Sequence, residues 1–247
     1  MMKKVSIITV CYNAESQIKD TIESVINQDY DNYDYIIIDG KSSDNTFNII
    51  NNYAESIDVL VSEIDNGIFD AMNKGLNLIN SEWVLFMNAG DVFYNENVLS
   101  RVFKTNEFSS EIGFVFGDMV YFSENMLVKA PCLPFYQSKQ YVKEMGFSHQ
   151  SVFVRSKLAQ RFKFDTKLKL TADYDMILKI YSNNFLGKYI DVIVSIMDMH
   201  GVSANNRLLQ FYETGIIYKL ENSNKFKLYY FMKKFIFKVK PFLGLIN

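Results

Sequence analysis

Proline occurs three times in this chain of 247 residues, cysteine twice and histidine twice. With so little proline there is no Pro-rich linker, and no internal repeat or low-complexity segment interrupts the sequence. Cys11 and Cys132 stand far apart and make no metal-ligand spacing, so both read as free thiols in a reducing compartment. No run of about 18 apolar residues occurs, which excludes a membrane-spanning helix. Met1 to Val10 carries two lysines but too short an apolar region for a signal peptide. A cytoplasmic protein is expected. The formal net charge is −2, so no global excess of positive charge marks a nucleic-acid partner.

What is present is a core. Hydrophobic residues make up 49% of the chain, enough for one α/β domain, alone or with a small appendage. Val5 to Cys11 is a β-branched run and reads as a buried strand. Ile18, Ile22, Val25 and Ile26 follow at helical spacing. Tyr35 to Ile38 is a second buried strand closed by Asp39-Gly40, and Ser43-Asp44 offers N-cap chemistry for a helix to about Tyr53. A strand over 58–62 and a helix over 66–79 come next. Trp83 to Met87 is then a short, continuous apolar strand that stops at Asn88-Ala89-Gly90-Asp91.

Alternating strands and helices with short connections predict parallel strands with right-handed crossovers. On such a sheet the strand ends lie on one edge, where ligands bind. Tyr12-Asn13, Asp39 and the turn from Asn88 to Asp91 are therefore predicted to converge. Taken alone, Asp91 also reads as a simple turn residue beside Gly90.

Beyond Asp91 the pattern becomes mixed or antiparallel. A helix is predicted over 95–107, and Phe114 to Tyr121 reads as strand, turn at Gly117-Asp118, and strand, with Met126 to Ala130 as its return. Ser151 to Val154 is an apolar strand just after His149. Thr171 can cap a helix to about Ser182, with Asp173 and Asp175 in its first turn, where the helix dipole favours carboxylates. A strand over 188–196 and a helix over 206–220 complete this half.

The stretch 225–247 contains no acidic residue and interleaves Lys225, Lys227, Lys233, Lys234, Lys238 and Lys240 with aromatic and aliphatic side chains. Two readings stand: a basic amphipathic helix on the inner membrane surface, or a closing helix packed on the core with a solvated lysine face.

Five segments in order resemble family 2 glycosyltransferases. They are Ser6 to Asn13 with Ser24 to Gln28, Ile38 to Thr46, Asp65 to Gly75, Asn88 to Asp91, and Ala172 to Asp175. The resemblance covers roughly residues 4–203 and implies a GT-A fold. That is an α/β fold with a Rossmann-like nucleotide-binding half around a mostly parallel mixed sheet, then a smaller acceptor-binding half and C-terminal helices. It divides the chain into a domain over 1–203, with halves 1–91 and 92–203, and a helical tail over 204–247. The implied activity is transfer of a hexosyl or N-acetylhexosaminyl group from a nucleotide diphosphate, a UDP-sugar foremost, to an acceptor hydroxyl with inversion. A glycan or lipid-linked acceptor of capsule, O-antigen or exopolysaccharide synthesis is the expected partner.

Residue by residue, the resemblance makes Asp91 the ligand of Mg2+ or Mn2+ and Asp173 the base, with Asp175 as the second choice of base. Gly90 and Ala172 stand where the family often has acids. Val10, Tyr12 and Asp39 are implied at the nucleoside, with Tyr12 against the base or packed as a core aromatic. Asp70, Asn73 and Lys74 are implied near the donor, Asp70 at the sugar or a basic partner and Lys74 at a phosphate, against a plain exposed helix face, and Asn88 and Gly90 beside the metal. His149, in a His-Gln pair, should face the donor or acceptor. His200 is a second candidate metal ligand and Ser203 a phosphate donor of hydrogen bonds. Two rivals remain: a catalytically decayed nucleotide-sugar-binding scaffold, suggested by Gly90 and Ala172, and a nucleotidyltransferase, which would usually carry a Gly-rich basic loop after the first strand. Cys11-Tyr12-Asn13-Ala14 offers no such loop.

Overall fold

Val5–Cys11 forms β1, and every residue of it is buried, as a strand covered on both faces requires. The computed structural model describes residues 2–123, 126–130, 148–197 and 206–239. Within the first 90 residues it holds β2 (Tyr33–Asp39), β3 (Val59–Ser62) and β4 (Trp83–Phe86), connected by α1 (Ile18–Ile26), α2 (Thr46–Asn51) and α3 (Ile68–Leu76). The strands pair in parallel in the order β3-β2-β1-β4. The chain therefore steps outward from β1 to β3 and then returns to the other side of β1. That reversal opens a crevice at the carboxyl ends of β1 and β4, the usual place for a ligand in an open α/β sheet.

The remaining elements are β5 (Val92–Phe93), α4 (Val98–Phe103), β6 (Ile112–Ser123), β7 (Met126–Ala130), β8 (Val152–Arg155), α5 (Ser156–Phe162), α6 (Ala172–Ser182) and β9 (Leu186–Met197). They extend the same sheet as β4-β8-β6-β9-β5, with β7 on β6. β8 runs antiparallel to both β4 and β6, and β6 pairs in parallel with β9. The turn expected at Gly117-Asp118 is not there. β6 runs straight through, and the two residues sit in a bulge where the register to β9 shifts. Glycine permits this because a methyl group at 117 would collide with the Val192 carbonyl oxygen.

Only two residue pairs, Trp83↔Arg155 and Val84↔Val154, join β4 to β8. Side chains reinforce them. The Arg155 guanidinium lies 4.3 Å from the Trp83 ring centroid and is ion-paired with Glu82. Glu82 in turn meets Lys4 at 2.6 Å. Arg155 also donates to the carbonyls of Phe108 and Ser109, at 3.0 and 2.9 Å. Trp83 is fully buried.

The described residues divide into two compact units, one within 1–167 and 172–199, the other of 168–171 and 206–239. The second holds α7 (Arg207–Ile217) and α8 (Asn224–Val239). No helix among the described residues is long and apolar enough to cross a membrane. The buried Glu213 of α7 accepts hydrogen bonds from the backbone N–H groups of Lys169, Leu170 and Thr171 and from the Thr171 hydroxyl. Replacing it with leucine strands these donors beside an apolar group. Glu213→Leu is expected to destabilise the second unit by about 2–3 kcal/mol. Faster hydrogen exchange at the Leu170 and Thr171 amides reports the loss, and unchanged protection there would refute it.

Candidate functional site

The turn after β4 is built by its neighbours. Met87 N–H donates to the Ile8 carbonyl and Ala89 N–H to the Val10 carbonyl, which prolongs the β1–β4 pairing past the strand end. Val10 itself is buried, so its part in this edge is that carbonyl. Asp91 N–H donates to the Asn88 carbonyl at 2.9 Å and closes the turn. Thr21, buried on α1, brackets it: its Oγ1 accepts from Gly90 N–H at 3.0 Å and donates to the Asp91 carbonyl at 2.9 Å. Gly90 has φ +98°, a conformation that side-chain-bearing residues rarely adopt. A side chain at this position would be strained.

Because β8 is antiparallel to β4, the residues just before β8 lie beside those just after β4. Two consecutive side chains exploit this. Gln150 Nε2 donates to Asp91 Oδ2 at 3.0 Å, and His149 Nε2 lies 3.0 Å from Asn88 Nδ2. The other ring nitrogen, Nδ1, is 3.1 Å from Asp173 Oδ2 in the first turn of α6. Nδ1–H donates to Asp173, and Nε2 faces the Asn88 amide. Burial opposes charging of His149, but the hydrogen bond to Asp173, the charge of Asp173 and that of Asp91 outweigh it and raise the imidazole above its ordinary value. A cavity of about 20 Å³, walled by Phe86, Val152, Val154, Phe164, Met176 and Ile177, backs the His149–Asp173 pair with apolar surface.

The oxygens here suit a hard divalent cation. Asp91 offers a carboxylate, and Asn88 Oδ1 on the same turn is buried without a hydrogen-bond partner. No cluster of three or more His, Cys, Asp or Glu able to cage a metal occurs among the described residues. Oxygen donors of this kind are the ones Mg2+ and Mn2+ take, with ligand phosphates and water completing their shells.

The other expected residues divide. Tyr12, directly after β1, is 63% exposed, so it is no core aromatic. Asp39 ends β2 at the predicted edge but is wholly buried, and its carboxylate accepts from the Ser42 backbone and hydroxyl and from Ser62 Oγ. It organises the loop after β2 and presents no exposed oxygen. That loop is bound to the one after β1 by Asn13 N–H to Ser42 Oγ at 2.9 Å and Ser43 N–H to Asn13 Oδ1 at 2.8 Å. The Cys11 thiol below is pushed far up by burial and by Asp39, and stays protonated.

Three of the donor-side residues also have partners within the protein. Asn73 spends both halves of its amide on the Phe164 backbone, each at 2.9 Å, so it ties α3 to the segment after α5. Lys74 Nζ is held by Glu63 at 2.9 Å and the Ile64 carbonyl at 2.7 Å, with Asp70 at 3.9 Å. Glu63 above all raises its pKa, so the ammonium is permanently charged but already neutralised. Asp70 accepts from Asn66 N–H at 2.9 Å and belongs to that cluster. Asp175, the second choice of base, forms an i,i+4 pair with Lys179 at 2.5 Å. His200, Ser203 and Cys132 lie outside the described residues. Thr21 and Gln150 were not singled out. Thr21 had one signal, a polar residue within the buried stripe of α1, and Gln150 had its pairing with His149.

The pattern that defines the family described as Glycosyl transferase family 2 matches residues 6–162. A PGL/p-HBAD biosynthesis glycosyltransferase of Mycobacterium tuberculosis is 25% identical over 205 residues, which cover 81% of this chain and 78% of the relative. The Escherichia coli UDP-Glc:alpha-D-GlcNAc-diphosphoundecaprenol beta-1,3-glucosyltransferase WfgD is 29% identical over 187 residues, 73% of this chain and 70% of the relative. Among solved structures, S. aureus TarS 1-349 with UDP-GlcNAc superposes with a TM-score of 0.69 at 19% identity, over 90% of this chain and 67% of that one. The chain spans 43% of a longer TarS structure. A Pyrobaculum calidifontis mannosyltransferase, PcManGT, in complex with GDP-Man and Mn2+ gives 0.63 at 18% identity, over 85% and 61% of the two chains. The family pattern covers well over half of the sequence, and the sheet, its reversal between β1 and β4 and the antiparallel β8 are those of a GT-A architecture: this protein is a glycosyltransferase and belongs to glycosyl transferase family 2.

Proposed function

We propose that the protein transfers one sugar from a nucleoside diphosphate donor, a UDP-sugar foremost, to a hydroxyl of a lipid-linked glycan in surface-polysaccharide synthesis, with inversion. The observation that carries this reading is the link from Asp173 through His149 to Asn88 on the turn that bears Asp91. The relatives support the substrate classes. WfgD is named for a UDP-Glc donor and a diphosphoundecaprenol-linked acceptor, and TarS was solved with UDP-GlcNAc.

Asp173 is the base. It takes the proton of the acceptor hydroxyl as that oxygen bonds to the anomeric carbon and the bond from this carbon to the diphosphate breaks. The electron pair departs with the nucleoside diphosphate. One carboxylate suffices for a single inverting displacement. His149 is a positioning residue: its Nδ1–H fixes one oxygen of Asp173 and orients the other. Asp91 and the orphaned Asn88 oxygen would hold Mg2+ or Mn2+, which supplies Lewis-acid neutralisation of the departing phosphate. His200 joins this set on sequence grounds alone. Gln150 and Thr21 aim Asp91, and the exposed Tyr12 ring offers a stacking surface for the nucleobase. Asp39 shapes the nucleoside pocket through the loop that it holds.

UDP release from a panel of UDP-sugars with Mn2+ and a polyprenyl diphosphate-linked acceptor tests the reading, and no turnover with any donor would sink it. Asp91→Asn should lower metal-dependent transfer by roughly a thousandfold while leaving the melting temperature near that of the wild type. Asp173→Asn should cost about a hundred- to ten-thousandfold in turnover yet keep the thermal shift produced by UDP and Mn2+. Turnover near the wild-type level in either variant refutes that assignment. The His149–Asp173 pair also predicts a pH signature in chelator-treated protein. The folded-state pKa of His149 is raised, so its protonation stabilises the fold; that contribution is complete below the ordinary value of 6.5 and lost as pH rises through the higher folded value. The stability deficit of His149→Gln should therefore shrink as pH rises, and a pH-independent deficit would contradict the pairing.

A further inference from the structure

Helix α8 has two unlike faces. Phe226, buried at 9% exposure, stacks on Phe211 with ring centroids 5.3 Å apart. It lies so close to Gly215 of α7 that any side chain there would collide with its ring. Tyr230, one turn on, meets Tyr212 at 5.0 Å, and Lys233 lies 4.5 Å from the Phe211 ring centroid. These residues make up the face that packs on α7.

The other face is apolar and open. Leu228, Phe231, Met232 and Phe235 are 63%, 68%, 51% and 62% exposed. Their spacing of i, i+3, i+4 and i+7 places them in one stripe along the helix. At about 100° per residue, exposed Lys227 and Lys234 fall along one edge of that stripe and exposed Lys225 along the other. No acidic residue occurs in α8. Four large apolar side chains turned to water on one helix face are a binding surface, not scattered exposure.

We propose that α8 lies in the surface of an anionic lipid bilayer, with Leu228, Phe231, Met232 and Phe235 among the acyl chains and the flanking lysines at the headgroup phosphates. Charge decides the occupant. Against a second copy of α8, lysine edges would meet lysine edges with no carboxylate to compensate. Against anionic headgroups, the same lysines are attracted while the stripe leaves water. A helix of this length and charge lies on a bilayer and does not span one. The inference concerns the second unit alone and holds whether or not the acceptor is lipid-linked.

Flotation of the full chain with phosphatidylcholine vesicles, with and without phosphatidylglycerol, tests it. Wild type should float with the mixed vesicles, and less so at high salt. The double variant Phe231→Ser, Phe235→Ser, which changes only exposed side chains, should keep its melting temperature and its donor turnover but partition at least roughly tenfold more weakly. Lys225→Gln with Lys227→Gln and Lys234→Gln should abolish the preference for phosphatidylglycerol. Absence of wild-type flotation, undiminished flotation of the double serine variant, or a vesicle-free dimer that this variant dissolves would each overturn the proposal. Turnover absent from the wild type bears on the proposed reaction and leaves the docking result standing.

Discussion

β4 has a parallel neighbour on one side and an antiparallel neighbour on the other, and the site follows from that mismatch. Parallel pairing with β1 sets the end of β4 beside the end of β1 and opens the crevice. Antiparallel pairing with β8 brings the start of another strand to the same place, so His149 and Gln150 arrive next to Asn88 and Asp91. A purely parallel sheet would have put the start of that strand at the far edge. The polar constellation is thus a product of strand direction, and the side chains that complete it come from segments about 60 residues away in sequence.

The first 90 residues were legible because fully buried strands are continuous apolar runs, and helices such as α1 and α3 carry a strong stripe. The parallel pairing of β1 to β4, the converging edge and the GT-A class all followed, while the order of the strands across the sheet came from the structure. α5 was missed because seven residues with three apolar positions show no measurable period. The supposed turn at Gly117 was a bulge because glycine marks close approach as readily as reversal, and the approaching strand, β9, lies over 70 residues later.

At the site, carboxylates at strand ends could be found, but their partners could not. Asn73 and Lys74 have the chemistry to bind a donor, and they also hold Phe164 and Glu63. Asp39 also accepts from Ser42 and Ser62, which its place at a strand end does not reveal. Hydrogen bonds across the fold decide whether a polar side chain is available, and local pattern does not encode them. The pairing of His149 with Asp173 was hidden for the same reason: two motifs, each read separately, are joined by one hydrogen bond.

Arg155 is remote from any reacting group, at the other end of β8 from His149. Strand register is a yes-or-no quantity, since a slip of one residue turns every side chain to the opposite face. With only two residue pairs joining β4 and β8, the backbone ladder alone specifies that register weakly. The guanidinium over Trp83, its ion pair with Glu82 and its grip on the Phe108 and Ser109 carbonyls supply the index mark. The aim of the histidine at its aspartate is thereby calibrated from the opposite end of a four-residue strand, as a vernier is read away from the object that it measures.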